Sequence, residues 1–219
     1  MSEGIMLVLA NGEWTDVERA VRLAERARYV IAADGAWAKA SKAGIRVDLV
    51  VGDLDSLSET ELEALQTSGV SQRCYPPEKD ATDLELAIDH ALTLSPAAIW
   101  VFGALGQRLD HGLANLGLLE RGREESVPIR LVNGRETAWM CDAHEHLGLA
   151  AVGDRVSILP VSECAVVSTV GLQYPLHEET LYRAATRGVS NVVASLPCAI
   201  DIHDGRALLV HAPRESDPA

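Results

Sequence analysis

The segment Thr82-Asp83-Leu84-Glu85-Leu86-Ala87-Ile88-Asp89-His90-Ala91-Leu92, followed after Pro96 by Ala98-Ile99-Trp100-Val101-Phe102, decides the fold class. Thr82 and Glu85 have the spacing of a capping box, in which a hydroxyl and a carboxylate satisfy free N–H groups at a helix start. Leu84, Ala87, Ile88, Ala91 and Leu92 recur at the 3.6-residue period and form one apolar stripe. The short apolar run that follows suits a strand buried on both faces. Helix then buried strand is the second half of a βαβ unit, and the pattern repeats outward from here.

Ile5–Ala10, Tyr29–Ala33, Leu49–Val51, Val70–Tyr75 and Ile129–Val132 read as further strands. Thr15-Asp16-Val17-Glu18 and Ser58-Glu59-Thr60-Glu61 repeat the capping-box spacing, and Gly44 and Gly69 fall where helices would stop. Residues 1–133 are therefore expected to form an α/β domain with a mostly parallel, Rossmann-like sheet. Past Asn133 the helical pattern fades. Thr137–Cys141, Val156–Val161, Ala165–Val170, Val189–Leu196 and Ala207–Val210 are short β-type runs broken by Gly, Asn, Asp and Pro. They predict an all-β C-terminal sandwich over residues 134–219, with room for one or two helical turns in Thr180–Arg187. The acidic tail Glu215–Ala219 is expected to fray.

In the 219-residue chain Lys plus Arg is 19 and Asp plus Glu is 32, so the formal charge is 19 − 32 = −13. That balance speaks against a nucleic-acid groove, which needs clustered cations. Lys39, Lys42 and Lys79 are the three lysines and none follows a glycine, so the phosphate-cradling Gly-Lys-Ser/Thr loop is absent. No apolar run approaches the roughly 20 residues of a membrane span. Met1–Ala10 has no basic segment ahead of its apolar stretch, unlike a secretory signal. Cys74, Cys141, Cys164 and Cys198 include no Cys-x-x-Cys pair, and reduced thiols in the cytoplasm are the expectation. His90, His203 and His211 carry no pattern.

Ligands of open α/β sheets bind outside the carboxyl ends of the strands. Four segments put Asp there: Asp34-Gly35, Gly52-Asp53-Leu54-Asp55-Ser56, Lys79-Asp80-Ala81-Thr82-Asp83, and Gly103 to His111. In an extended loop Asp53 and Asp55 would share a side and suit Mg²⁺, whose ligands are hard oxygens; equally, they would stabilise a turn. Asp80 and Asp83 either join such a site or cap a helix. After Gly103 and Gly106, Arg108, His111 and Asn115 fall on one helix flank, with Asp110 on the other side and Leu109, Leu113 and Leu116 on the buried face. A glycine turn entering a helix N-terminus, with a guanidinium fork beside it, suits a phosphate; the alternative is a solvated helix.

The ordered set Asp34-Gly35, Gly52 to Ser56, Asp80 to Asp83, Gly106 to His111, Thr169 to Leu176 and Gly188-Val189-Ser190-Asn191 resembles thiamine pyrophosphokinase. The resemblance implies an α/β catalytic domain, a C-terminal β-sandwich and a homodimer with active sites shared between subunits. It implies pyrophosphoryl transfer from ATP to the hydroxyethyl group of thiamine, giving thiamine diphosphate and AMP. By motif, Asp53, Asp55, Asp80 and Asp83 would hold Mg²⁺–ATP with Asp34 nearby. Asp110 would join the catalytic carboxylates, and Gly103, Gly106, Arg108, His111 and Asn115 would surround the nucleotide. Tyr174, Ser190 and Asn191 would line the thiamine pocket. Ala36, Gln107 and Val192 depart from the family pattern. The competing expectations are the same chemistry on another heteroaromatic alcohol, such as a pterin, or a non-catalytic nucleotide or thiamine-phosphate sensor.

Overall fold

The computed structural model describes residues 4–106, 108–123, 125–148 and 150–214. Gln107 and Glu215–Ala219 lie outside the described residues. The chain divides into two compact units, Met1–Gly134 and Arg135–Ala219.

In chain order the first unit runs β1 (Ile5–Leu9), α1 (Val17–Arg26), β2 (Tyr29–Ala33), α2 (Ala36–Lys42), β3 (Leu49–Gly52) and α3 (Glu59–Thr67). It continues with β4 (Ser71–Cys74), α4 (Asp83–Thr93), β5 (Ala98–Phe102), α5 (Leu109–Gly117) and β6 (Ile129–Asn133). The strands lie in the order β6-β5-β1-β2-β3-β4, and every neighbouring pair is parallel. Leu7, Val8, Leu9, Ile31, Val50 and Ile99 are fully buried, as a sheet covered on both faces requires. From β1 the chain steps outward to β4, then returns to lay β5 on the other side of β1. The strand order reverses between β1 and β5, which opens a crevice at their carboxyl ends.

Helix starts follow the sequence closely. Ser58 and Glu61 form the reciprocal capping box of α3, and the Thr82 hydroxyl accepts from Glu85 N–H. At α1 the cap is Asp16 rather than Thr15, its carboxylate accepting from Arg19 N–H at 2.8 Å. Gly44 and Gly69 end their helices with φ of 70° and 75°, a conformation open to glycine without strain. The stripe of α4 buries Leu84, Ala87, Ile88 and Ala91 as its spacing predicts. On α5 the expectation fails: Leu109 is 75% exposed, Leu113 is 62% exposed, and no residue of that helix is fully buried. Periodicity identifies an apolar face but not what covers it.

The second unit contains β7 (Glu136–Cys141), β8 (His144–His146), β9 (Arg155–Val170), β10 (Glu179–Tyr182), β11 (Asn191–Val192) and β12 (Ala199–Ala212). All its pairings are antiparallel. The two runs Val156–Val161 and Ala165–Val170 are one bent strand, β9, paired along β12. Register shifts between Ile202 and Asp204 and between Gly205 and Ala207 mark the bend. Gly205 permits it: a Cβ there would stand 2.2 Å from Cys164 O. Beyond the bend, residues from both halves of the ribbon, among them Ile158, Val167, Leu181 and Ile200, share one core. Val189–Leu196 supplies only β11 and a bridge between Val193 and Leu172, and Thr180–Arg187 continues β10 into turns instead of a helix. His211 has a partner: its Nε2 lies 2.7 Å from Asp154 Oδ2. The buried Asp154 carboxylate also accepts from the N–H groups of Ala151 and Arg214, tying the end of β12 to the loop before β9.

Candidate active site

The crevice at the carboxyl ends of the parallel sheet is a cleft of about 490 Å³. Its walls come from the loops after β1 (Asn11, Gly12, Glu13), β2 (Asp34), β3 (Ser56), β4 (Thr82, Asp83) and β5 (Gly103 to Gly106, Arg108), with His111 and Asn115 from α5. The β1 and β5 loops are joined backbone to backbone. Gly12 N donates to Gly103 O at 2.8 Å and Glu13 N to Leu105 O at 2.7 Å. Glycine permits this approach, since a Cβ on Gly12 would stand 2.3 Å from Leu105 O and one on Gly103 2.5 Å from Trp14 Nε1. Trp14 braces the corner, its indole N–H donating to Ala10 O and its ring edge-on to Phe102 at 5.3 Å.

At one end of the cleft Asp34, Asp53 and Asp83 each bring a carboxylate oxygen within 4.8 Å of the others. Asp34 is 6% exposed, and its buried Oδ1 has no hydrogen-bond partner among the described residues. Lys79 sits among them, with Nζ 2.6 Å from Asp53 Oδ2 and 3.0 Å from Asp83 Oδ1 and its side chain only 13% exposed. The Lys79 ammonium bond holds the Asp53 carboxyl below its ordinary range. Burial, reinforced by Asp53 and Asp34, pushes Asp83 up. Burial acts to lower Lys79, but its bonds to Asp53 and Asp83 outweigh burial and raise it. Gly52 keeps the cluster open, since a Cβ there would come 3.0 Å from Asp34 Cβ and 3.2 Å from Asp83 Cγ.

Of the carboxylates singled out in the sequence, the structure brings Asp34, Asp53 and Asp83 together and leaves Asp55 and Asp80 exposed outside that group. Leu54 has φ of 66°, so the loop turns between Asp53 and Asp55 instead of running extended. Arg108 lines the cleft but is held by Asp110, whose carboxylate accepts from Nε at 3.0 Å and Nη2 at 2.6 Å. That bidentate grip, and not an opposite face of the helix, is where Asp110 belongs; it holds the Asp110 carboxyl well below its usual range. Asn115 donates to Ala104 O at 2.7 Å and so supports the β5 loop. Sequence reading missed Lys79, Lys39 and the β1 loop. Lys39 Nζ donates to Asn11 O and Gly12 O, and burial lowers its pKa. The rule that marked the other loops applies equally to Asn11-Gly12 after the first strand.

In the second unit Tyr174, Ser190 and Asn191 line a cleft of about 250 Å³ together with Leu176, Arg187 and Val189. Tyr174 and Ser190 are exposed, whereas Asn191 is buried.

Two family models match the chain: "Thiamin pyrophosphokinase, catalytic domain" over residues 20–131 and "Thiamin pyrophosphokinase, vitamin B1 binding domain" over residues 145–206. The chain belongs to the thiamin pyrophosphokinase family, a family of transferases. A thiamine pyrophosphokinase of Bacillus subtilis (strain 168) is 34% identical over 151 residues, 68% of this chain and 71% of that protein. The crystal structure of a Bacillus subtilis thiamine pyrophosphokinase superposes with a TM-score of 0.83 at 25% identity, covering 95% of this chain and 99% of that one. That of the Geobacillus thermodenitrificans enzyme gives 0.82 at 26% identity, covering 97% and 99%. The architecture expected from the sequence, an α/β unit with a parallel sheet followed by an all-β unit, is the architecture of this family. Among the described residues no helix is long and apolar enough to cross a membrane.

Proposed function

We propose that the chain transfers the pyrophosphoryl group of ATP to the hydroxyethyl group of thiamine, releasing thiamine diphosphate and AMP. The observation that carries the reading is the three-carboxylate cluster formed by the loops after β2, β3 and β4, with Asp34 Oδ1 buried and without a hydrogen-bond partner among the described residues. Hard oxygens at this spacing suit Mg²⁺, and Asp34, Asp53 and Asp83 would hold it. When bound, Mg²⁺ supplies charge neutralisation and Lewis acidity to a triphosphate. Asp55, Asp80 and Asp110 are left for roles outside that cluster.

The chain's own residues then divide the work. Arg108 offers a guanidinium to phosphate oxygens once they displace or share its bond to Asp110. The β1 and β5 loops form a floor for the nucleotide, and Arg108 does not cap α5; its side-chain partner Asp110 takes the His111 N–H, leaving the N–H groups of Leu109 and Asp110 for an anion. Attack of the alcohol at the β-phosphorus expels AMP, a reaction that asks for positioning and charge stabilisation more than for covalent help. The cleft of the second unit suits a heteroaromatic cation: the exposed Tyr174 ring offers a π face to the thiazolium charge.

The test is incubation with ATP, Mg²⁺ and thiamine, with mass detection of products. Thiamine diphosphate and AMP in equal amounts are expected. Transfer to a hydroxymethylpterin but not to thiamine would replace the substrate, and binding without turnover would make the chain a sensor. We also propose a homodimer with active sites shared between subunits. The exposed pair Leu109 and Leu113 beside the nucleotide cleft supports an apolar contact there, and sedimentation showing a fully active monomer would reject it. The four free thiols support a reducing, cytoplasmic setting.

A further inference from the structure

Asn191 sits in the proposed thiamine cleft, yet its side chain is committed elsewhere. Oδ1 accepts from Tyr174 N–H at 3.1 Å and from Val192 N–H at 2.9 Å, and Nδ2 donates to Tyr174 O at 2.7 Å. Both acceptor sites of the amide oxygen are filled, and the partners fix which end of the amide is oxygen. The surrounding backbone explains the arrangement. Leu172 bridges Val193, Gln173 N–H donates to Val192 O at 2.8 Å, and the Asn191 amide then takes both main-chain groups of Tyr174. The side chain thus acts as one more peptide unit of the ladder, at the point where Ser190, with φ of 57°, turns the main chain away. On the far side Pro175 restricts Tyr174 to extended backbone, and Leu176 is fastened to Thr169, its N–H donating to Thr169 Oγ1 at 3.0 Å and its carbonyl accepting from Thr169 N–H at 2.9 Å. The Tyr174 main chain is held on both flanks while the residue, 64% exposed, lines the cleft. An exposed aromatic residue on an immobilised backbone is the arrangement that lowers the ordering cost of binding.

We infer that Asn191 is a positioning residue, which pre-sets the Tyr174 ring for the substrate, and not a group that reads the substrate's aminopyrimidine. The inference rests on the proposed thiamine chemistry, and turnover of thiamine by the unaltered protein tests that reading separately. Asn191→Ala is expected to raise the KM for thiamine about tenfold while kcat changes by less than about threefold, the loss of one buried hydrogen-bonded anchor. The KM for ATP stays unchanged. The preference between thiamine and its analogue with a carbonyl in place of the pyrimidine amino group also stays unchanged, because the residue does not touch that group. In a Tyr174→Ala background the substitution costs nothing further, since it acts through that ring. Hydrogen exchange of the Tyr174 amide becomes faster in Asn191→Ala whether or not thiamine is the substrate. A change of about tenfold in preference between the two analogues would overturn the inference, because a reader of the ring alters selectivity and a positioner does not. Faster exchange with an unaltered thiamine KM would also overturn it. Where Asn191→Ala fails to fold, Asn191→Asp keeps the two accepted bonds and loses the donated one; a rise in thiamine KM with unchanged analogue preference supports the inference, and an unchanged KM overturns it.

Discussion

Asp34 is the residue on which the proposed metal site turns. Its φ of 47° lies in the left-handed region, its N–H is fixed to Val51 O at 2.8 Å, and its Oδ1 is buried without a partner among the described residues. A buried carboxylate oxygen left unpaired costs free energy unless something cationic meets it during function. Asp34→Asn is therefore expected to lower turnover by roughly a hundredfold or more with the far-UV spectrum unchanged; turnover within about twofold of the unaltered protein would remove Asp34 from the metal site. Gly52→Ala tests the same geometry from behind. The added methyl meets Asp34 Cβ and Asp83 Cγ, so the carboxylates must separate. Half-maximal activity should then need about tenfold more Mg²⁺, by loss of ligand convergence; an unchanged Mg²⁺ dependence would sink the claim that this gap is set for an ion. At this scale the sequence was informative about type and not about weight. Asp34, Asp53 and Asp83 all follow strand ends, but Asp34 and Asp53 also read as turn residues and Asp83 as a helix cap, and nothing linear shows that Asp55 is turned away by Leu54. Lys79 was invisible as a partner of Asp53 because that ion pair spans 26 positions, whereas its pair with Asp83 has a spacing of four that the sequence does carry.

Elements were legible where burial is two-sided. β2 and β5 match their sequence boundaries residue for residue, because a parallel strand covered on both faces is a continuous apolar run. β9 was read as two runs and β12 only as its last part, Ala207–Val210, because their bend interrupts the alternation at Ser162-Glu163-Cys164 and Asp204-Gly205 of what is one ribbon in space. The β12 end holds a further device that no pattern announced, the Asp154 carboxylate gripping His211, Ala151 and Arg214. Burial alone would raise the Asp154 pKa, but the N–H donors of Ala151 and Arg214 and the His211 ring outweigh it and hold it below the ordinary value. The unfolded carboxyl, near about 4, therefore takes up its proton first as pH falls. Its contribution to stability is complete above that value and is lost as pH falls through the lower folded pKa. Asp154→Asn should accordingly unfold at lower urea than the unaltered protein at neutral pH, and the gap should narrow as the pH is taken below about 4. A gap of constant size across that range would show that the carboxylate's charge has no part in the latch.

On the scale of the whole molecule, the charge of −13 acts with opposite sign on the two proposed substrates. A triphosphate approaches against the field of the chain, even with its charge reduced by Mg²⁺, whereas the thiazolium cation is drawn in. Local contacts fix the final poses, but the long-range part is screened once the Debye length falls to about 8 Å at physiological ionic strength. Raising KCl at constant free Mg²⁺ should therefore raise the KM for thiamine and leave that for ATP level or lower. Initial rates measured against each substrate in turn, with the other saturating, separate the two slopes. Slopes of the same sign would mean that salt acts on a step common to both, such as closure of a loop or assembly of subunits, and that the acidic surface has no role in drawing the cation in. A neutral alcohol analogue of thiamine, lacking the ring charge, provides the internal reference. Its KM should not move with salt, because the attraction being screened is to the thiazolium charge alone.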